Sequence, residues 1–260
     1  MKIKNKTHKG QITIFVIIAL IVVVLIALIF VLVKKPNITI TATENPQAYI
    51  ENCLKNSLEK TETKILDGNG YLNITDNYIL MSINKPKEKV PYLCKSSEFY
   101  NPCINQEPML IGLIKQEFEK QVKIDAQTCF SSLIRELKNK GNTVTEGDMT
   151  LQIKFYENSV AAEVNKKIGI QKDSESSSYE TFIGEINSPI YRLTNTARSI
   201  INYESTLCEF NLIGWMKVYR DILISKFVTS DQSKVYTLTD KSSGKKLSFA
   251  LRTCILPAGI

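Results

Sequence analysis

From Ile12 to Val33 the chain carries no charged residue, and Thr13 is the one polar side chain in the run. As an α-helix this segment is about 33 Å long, against a bilayer hydrocarbon core of about 30 Å. In lipid every backbone N–H and C=O must find a partner inside the segment, so a helix is the state it can adopt there. A cleaved secretory signal would have an apolar region of about 7–15 residues ending in small residues. Here Lys34, Lys35 and Pro36 follow directly. A helix on the surface of a soluble core would show a polar face, and this run has none. The segment reads as a membrane anchor.

Charge sets the expected orientation. Lys2, Lys4, Lys6 and Lys9 precede the run, while Lys34 and Lys35 close it. The positive-inside bias keeps such an N-terminus cytoplasmic and sends the body outward. Six of the 33 Lys and Arg residues lie in residues 1–35, which hold no acid, so the remainder carries 27 basic against 26 acidic residues. The formal charge of +7 therefore belongs to the anchor and its flanks. A nearly neutral body gives no electrostatic reason to bind nucleic acid. The expected organisation is a basic leader at 1–10, a transmembrane helix at 11–35, a linker at 36–45 and an exported domain at 46–260. That domain reads as one body or as two lobes, 46–147 and 148–260.

The junction Lys9-Gly10-Gln11-Ile12-Thr13-Ile14-Phe15 resembles the class III signal peptide of archaeal type IV pilin-like proteins. The likeness covers about residues 1–34. It implies an archaeal source, a prepilin peptidase that cuts between Gly10 and Gln11, and contact with envelope or other pilin-like proteins. Pilins commonly carry a Glu a few residues into the mature helix, and Phe15 and Val16 occupy that neighbourhood here. In that family the acid is linked to subunit assembly, so its absence speaks against a filament.

All six cysteines lie beyond the apolar run: Cys53, Cys94, Cys103, Cys129, Cys208 and Cys254. An even number confined to the exported part suggests disulfides. Cys94 and Cys103 bracket a short polar loop able to close locally. Cys53 and Cys129 sit in similar helical contexts. Cys208 and Cys254 would tie the last strand back to a helix. Structural zinc usually takes ligands as Cys-x(2–4)-Cys pairs with further Cys or His. No cysteines are that close, and the single histidine, His8, lies in the leader. Asn37-Ile-Thr and Asn73-Ile-Thr match the N-glycosylation pattern.

Within the body, Asn45-Pro46 opens a helix that Asp67-Gly68-Asn69-Gly70 ends. Short strands are expected at Tyr71–Ile74 and Tyr78–Ile83. A second helix is expected from Glu107 to Lys138, bent near Lys123–Asp125. The segment around Cys129 echoes that around Cys53, which suggests a weak internal repeat. Met149, Leu151, Ile153 and Phe155 alternate, as do Val160, Ala162 and Val164 beyond a turn, and this predicts a hairpin. Asp173–Ser178 reads as a polar loop. Ser188-Pro189 starts another helix, and apolar positions from Leu212 through Trp215, Met216 and Tyr219 to Leu223 keep helical spacing. Val235–Thr239 and Leu247–Leu251 predict a closing hairpin. Helices and antiparallel hairpins in separate blocks make the fold class α+β.

The chemistry-bearing patterns are weak. Ser-His-Asp and Cys-His catalysis need a histidine beyond the anchor, and none is present. Ser57-Leu58-Glu59-Lys60 matches Ser-x-x-Lys but lacks the Lys-Thr-Gly partner. Ser243-Gly244-Lys245-Lys246 lacks the remaining positions of a phosphate loop. Asp173 and Glu175 lack the Gly and final Glu of a calcium loop. Trp215, Met216 and Tyr219 read as a core stripe, and Phe99 and Tyr100 in the Cys94–Cys103 loop as a contact surface. No catalytic residue, cofactor or metal site is expected, and the lipid bilayer is the first expected partner. The function expected is that of a pilin-like or pseudopilin-like surface protein acting by contact with envelope components. An anchored glycan hydrolase-like enzyme using a carboxylate pair, or an accessory subunit of a membrane complex, is the alternative.

Overall fold

The computed structural model describes residues 15, 17–26, 45–81, 87–98 and 101–254. It divides into two units, residues 1–40 and 41–260. In the first, Phe15 and residues 17–26 are helical, and their large apolar side chains are all exposed, from 47% at Val22 to 66% at Phe15. Among the described residues no helix is long and apolar enough to cross a membrane. The rest of the apolar run, the junction at Gly10 and Gln11, and most of the linker lie outside the described residues.

The second unit is α+β. Helix α1, Pro46–Asp67, starts where expected: the Asn45 side chain accepts a hydrogen bond from the Ala48 N–H, and proline takes the first helical position. Ile50, Leu54, Leu58 and Ile65 are fully buried along one stripe. Gly68 ends the helix, its N–H donating to the Lys64 carbonyl. Helix α2, Leu110–Asn139, runs unbroken through Lys123–Asp125, and buries Ile114, Phe118, Val122, Ala126, Phe130, Leu133 and Leu137. The expected bend there does not interrupt it.

Strands β1 (Tyr78–Met81), β2 (Glu88–Lys95) and β3 (Ile104–Asn105) separate the two helices. Three long strands follow, β4 (Thr143–Phe155), β5 (Ser159–Lys172) and β6 (Glu175–Asn187), paired antiparallel in chain order. Next come α3 (Ile190–Leu207) and the short α4 (Leu212–Val218), then β7 (Ile222–Val228), β8 (Lys234–Asp240) and β9 (Lys246–Arg252). The second sheet has the order β1-β2-β9-β8-β7, with β3 also against β2. Its β2–β9 pair is parallel, where hairpins alone predict antiparallel pairing throughout. That pairing interleaves segments 46–147 and 148–260, and residues 41–260 form one compact unit.

Helices α1 and α2 pack against each other and on the β4–β6 sheet, while α3 packs on β8 and β9. One large apolar cluster runs from Leu54 and Phe130 through Phe182 and Ile200 to Tyr236 and Phe249. Phe130 meets Phe182 edge-to-face with ring centroids 5.1 Å apart. A smaller cluster of Met81, Val90, Tyr92, Val235 and Ala250 lies apart from it. Val235 and Tyr236, adjacent along β8, fall in different clusters because successive strand side chains point to opposite faces.

Gly184 shows why α1 sits so close to β6. A Cβ there would lie 2.6 Å from Leu54 Cβ and 2.9 Å from the Lys55 backbone nitrogen. Such atoms cannot move without shifting the helix. Gly184→Val is therefore expected to lower stability by about 1–3 kcal/mol through overpacking. Gly147→Ala, whose new Cβ meets nothing closer than 3.6 Å, is the control and should change little. Chemical denaturation midpoints of the two variants check this, and equal midpoints would show that α1 does not seat on β6 here.

The structure departs from the expected elements in three places. Asp173 forms a tight turn with φ 51°, and Glu175 already begins β6, so the expected polar loop is mostly strand. Tyr71–Ile74 forms no strand. The helical spacing from Leu212 stops at Val218, and Ile222–Val228 is the edge strand β7. The two cysteine-bearing helices do not begin equivalent repeats, because β1 and β2 join the β7–β9 sheet while β4–β6 form their own.

Candidate functional site

The chain turns sharply after α3. Cys208 adopts a left-handed conformation, φ 59°, and its N–H donates to the Glu204 carbonyl. A disulfide joins Cys208 to Cys254 just beyond β9, Cα–Cα 5.5 Å. Phe210, 3% exposed, then plugs the core, with its ring 5.7 Å from Tyr203, 5.6 Å from Trp215 and 6.4 Å from Tyr236. Asn211 caps α4, its side-chain oxygen accepting from the Gly214 N–H at 2.9 Å. The helix lies beside β7: the Ile224 N–H, on that edge strand, donates to Met216 Sδ at 3.3 Å.

The result is an aromatic groove of about 320 Å³ lined by Tyr203, Leu207, Phe210, Trp215, Val218 and Tyr219. Trp215 and Tyr219 stack with centroids 4.3 Å apart. The indole N–H of Trp215 is shielded from solvent and has no acceptor. Leu207, Ile213 and Val218 are 60%, 63% and 72% exposed. Trp215, Met216 and Tyr219 therefore form the rim of the core, where helical spacing alone predicts its interior. Too few turns follow Asn211 for α4 to bury a full stripe: none of its residues is fully buried.

Charge around this surface is uneven. Glu209 pairs with Lys226 at 2.7 Å and Lys234 at 3.5 Å, and Asp221 with Arg192 at 3.6 Å. Burial pushes the Glu209 carboxyl up, but the two lysines outweigh it and hold it below the usual range. Among the described residues no carboxylate lies within 4.0 Å of Lys217 or Arg220. The patch thus presents exposed apolar area beside charges of both signs, since Asp221 and Glu209 stay 80% and 50% exposed next to Lys217 and Arg220.

The deeply buried carboxylates each accept from basic or hydroxyl groups or a backbone N–H. Glu62, 1% exposed, accepts from Ser188 Oγ at 2.6 Å and Lys245 Nζ at 2.5 Å, in a polar groove it shares with Lys55, Glu59 and Glu185. Glu204, fully buried, accepts from Lys234 at 2.8 Å and from the Tyr236 hydroxyl. Asp240 accepts from Arg192 at 2.6 Å and from Ser242 and Ser243. Burial pushes its carboxyl up, and those hydroxyls with the guanidinium outweigh it and hold it low. Glu117 accepts from Lys120 at 2.6 Å and from the Leu72 N–H at 3.0 Å. Among the described residues no three Asp, Glu, Cys or His side chains are placed to hold a metal ion.

The other singled-out residues take structural places. Ser57 is 4% exposed and donates to Asp125 at 2.6 Å, directed at a carboxylate. Ser243 and Gly244 form the turn between β8 and β9, with Gly244 at φ 71° and Lys245 reaching Glu62. Cys53 pairs with Cys129 (Cα–Cα 6.1 Å) and Cys94 with Cys103 (Cα–Cα 5.4 Å), so with Cys208–Cys254 no cysteine is free. Phe99 and Tyr100, the expected contact loop, lie outside the described residues, as do Gly10 and Gln11.

No protein-family model, no curated protein and no solved structure matches this chain.

Proposed function

We propose that this chain is a single-pass membrane protein whose residues 12–33 anchor a disulfide-closed α+β domain outside the cytoplasm. The domain acts by contact with other envelope components, in the manner of a pilin-like or pseudopilin-like surface protein, and performs no catalysis. The pairing of all six cysteines in three disulfides carries this reading, since such bonds persist in oxidising compartments. The exposed apolar side chains of the helical residues 17–26 support a lipid environment for that segment. The lysines flanking the run support a cytoplasmic N-terminus, and the Gly10-Gln11 junction supports processing by a prepilin peptidase. Basic or hydroxyl partners on each deeply buried carboxylate support a structural role for those acids.

Intact mass of the mature protein from its native membrane, alkylated with and without prior reduction, tests the proposal. The expected result is loss of residues 1–10 and alkylation only after reduction. An intact N-terminus with six thiols reactive before reduction would contradict both the processing and the exported location.

A further inference from the structure

We propose that Asn73 is a site of N-linked glycosylation, modified by an enzyme that transfers an oligosaccharide from a lipid phosphate. This rests on the reading of the body as exported, since the acceptor pattern is one of surface loops in secreted proteins.

The motif supplies the chemistry. Asn73-Ile74-Thr75 has a residue other than proline between its Asn and its Thr, as the acceptor pattern requires. The chain holds the pattern twice more, at Asn5-Lys6-Thr7 before the apolar run and at Asn37-Ile38-Thr39 after it. Asn5 and Asn37 lie outside the described residues. Three residues are a short pattern, and the geometry at Asn73 adds what the pattern alone lacks.

Between α1 and β1 the burial alternates. Leu72 is half-buried and Ile74 is 8% exposed, while Asn73 and Thr75 are exposed. Both inward residues are held in place. The Leu72 N–H donates to Glu117 at 3.0 Å, and the Ile74 carbonyl accepts from Lys89 Nζ at 3.0 Å. Asn73 itself belongs to no helix or strand, and among the described residues its side chain makes no hydrogen bond. The Thr75 hydroxyl has an exposed contact of 3.4 Å with Asp76. Amide and hydroxyl are thus both open to one enzyme, with no helix or strand to unpair first. An open groove of about 1090 Å³ adjoins Asn73, lined also by Thr63, Thr237 and Ser248, and leaves room for a bulky adduct.

In the transfer, Asn73 Nδ2 bonds to the anomeric carbon of the first sugar. The bond from that carbon to the phosphate oxygen breaks, and the lipid phosphate leaves with the bonding electrons. One amide proton passes to a base of the transferase. Nothing is oxidised or reduced.

Peptide mass spectrometry of the protein from its native membrane tests the proposal. A membrane-impermeant amine reagent, applied to the same intact cells, reads the location of the body independently. The expected result is a mass increase by whole sugar residues on the Asn73 peptide. It is lost in Asn73→Gln and in Thr75→Ala, and kept in Thr75→Ser, all expressed in the native host. Both positions are exposed, so the variants keep their fold, which far-ultraviolet circular dichroism verifies.

An unmodified Asn73 in cells whose body lysines are labelled would overturn the site and leave export standing. An adduct that survives Thr75→Ala would overturn enzymatic transfer at this motif. An adduct on Asn5 in place of Asn73 would overturn the orientation and the site together. Body lysines closed to the reagent, with Asn73 unmodified, would overturn the exported reading and the site with it.

Discussion

Replacing Cys53 and Cys129 together by alanine is expected to lower the unfolding free energy by about 4 kcal/mol, from the entropy of the loop their bond closes. That bond joins residues 76 apart and bridges the middle of α1 to the second half of α2. Both helices contribute heavily to the main apolar cluster, with Ile50 and Leu54 beside one cysteine and Ala126 and Phe130 beside the other. Without the bond the unfolded chain is freed from a long closed loop, and its entropy rises. The Cys94–Cys103 bond closes a separation of 9 residues and is worth about 2.5 kcal/mol on the same reasoning. Chemical denaturation of the two alanine pairs side by side checks the ordering. Equal losses would mean that the unfolded chain is already compact around α1 and α2.

The second large effect lies at Glu204. Its carboxylate is fully buried, and it accepts from Lys234 Nζ at 2.8 Å and from the Tyr236 hydroxyl. Burial, then the Glu204 charge, push the Tyr236 hydroxyl far above its usual range, so it stays a neutral donor. Lys234 also donates to the Cys208 carbonyl at 2.6 Å, which ties β8 to the disulfide turn after α3. Glu204→Ala leaves a largely buried ammonium without its main anion and a buried hydroxyl without its acceptor. The expected loss is about 3–5 kcal/mol, the usual cost of breaking a buried pair from one side. Replacing both partners, Glu204→Leu with Lys234→Met, is expected to recover part of it, because no buried charge is then left unpaired, while the Tyr236 hydroxyl and the Cys208 carbonyl still lose these partners. A double-mutant cycle on denaturation midpoints reads this, and additive losses would show that the two residues are not coupled.

Much of the body was legible because its signals are local. Asn45-Pro46 and the buried stripe of α1 announce themselves, and so does the alternation of Leu151, Ile153 and Phe155 before that of Val160, Ala162 and Val164. Strand β6 was hidden for two reasons. Three serines follow its first residue, Glu175, and the alternating inward positions Phe182, Gly184 and Ile186 contain a glycine placed there by the approach of α1. Strand β7 was hidden because the apolar spacing of α4 continues by accident across the turn at Tyr219–Asp221. Backbone conformation ends the helix at Tyr219, with no glycine or proline to mark it. The parallel β2–β9 pair joins segments far apart in the chain, and no local pattern encodes it.

The aromatic groove was legible only in part. The aromatic spacing of Trp215 and Tyr219 could be seen, but a stripe at helical period carries no sign of whether it faces a core or solvent. The short run between the Asn211 cap and Val218 was the available clue, since two turns cannot bury both sides of an indole.

An exported domain held by one apolar helix is reachable from outside the cell and stays with the membrane. Labelling intact cells with a membrane-impermeant amine reagent, followed by an alkaline wash of the membranes, tests that most directly. The prediction is modification of exposed lysines of the body, Lys217 among them, without permeabilisation, and retention of the protein in the washed membranes. Labelling that requires permeabilisation, or release of the protein by the wash, would contradict it.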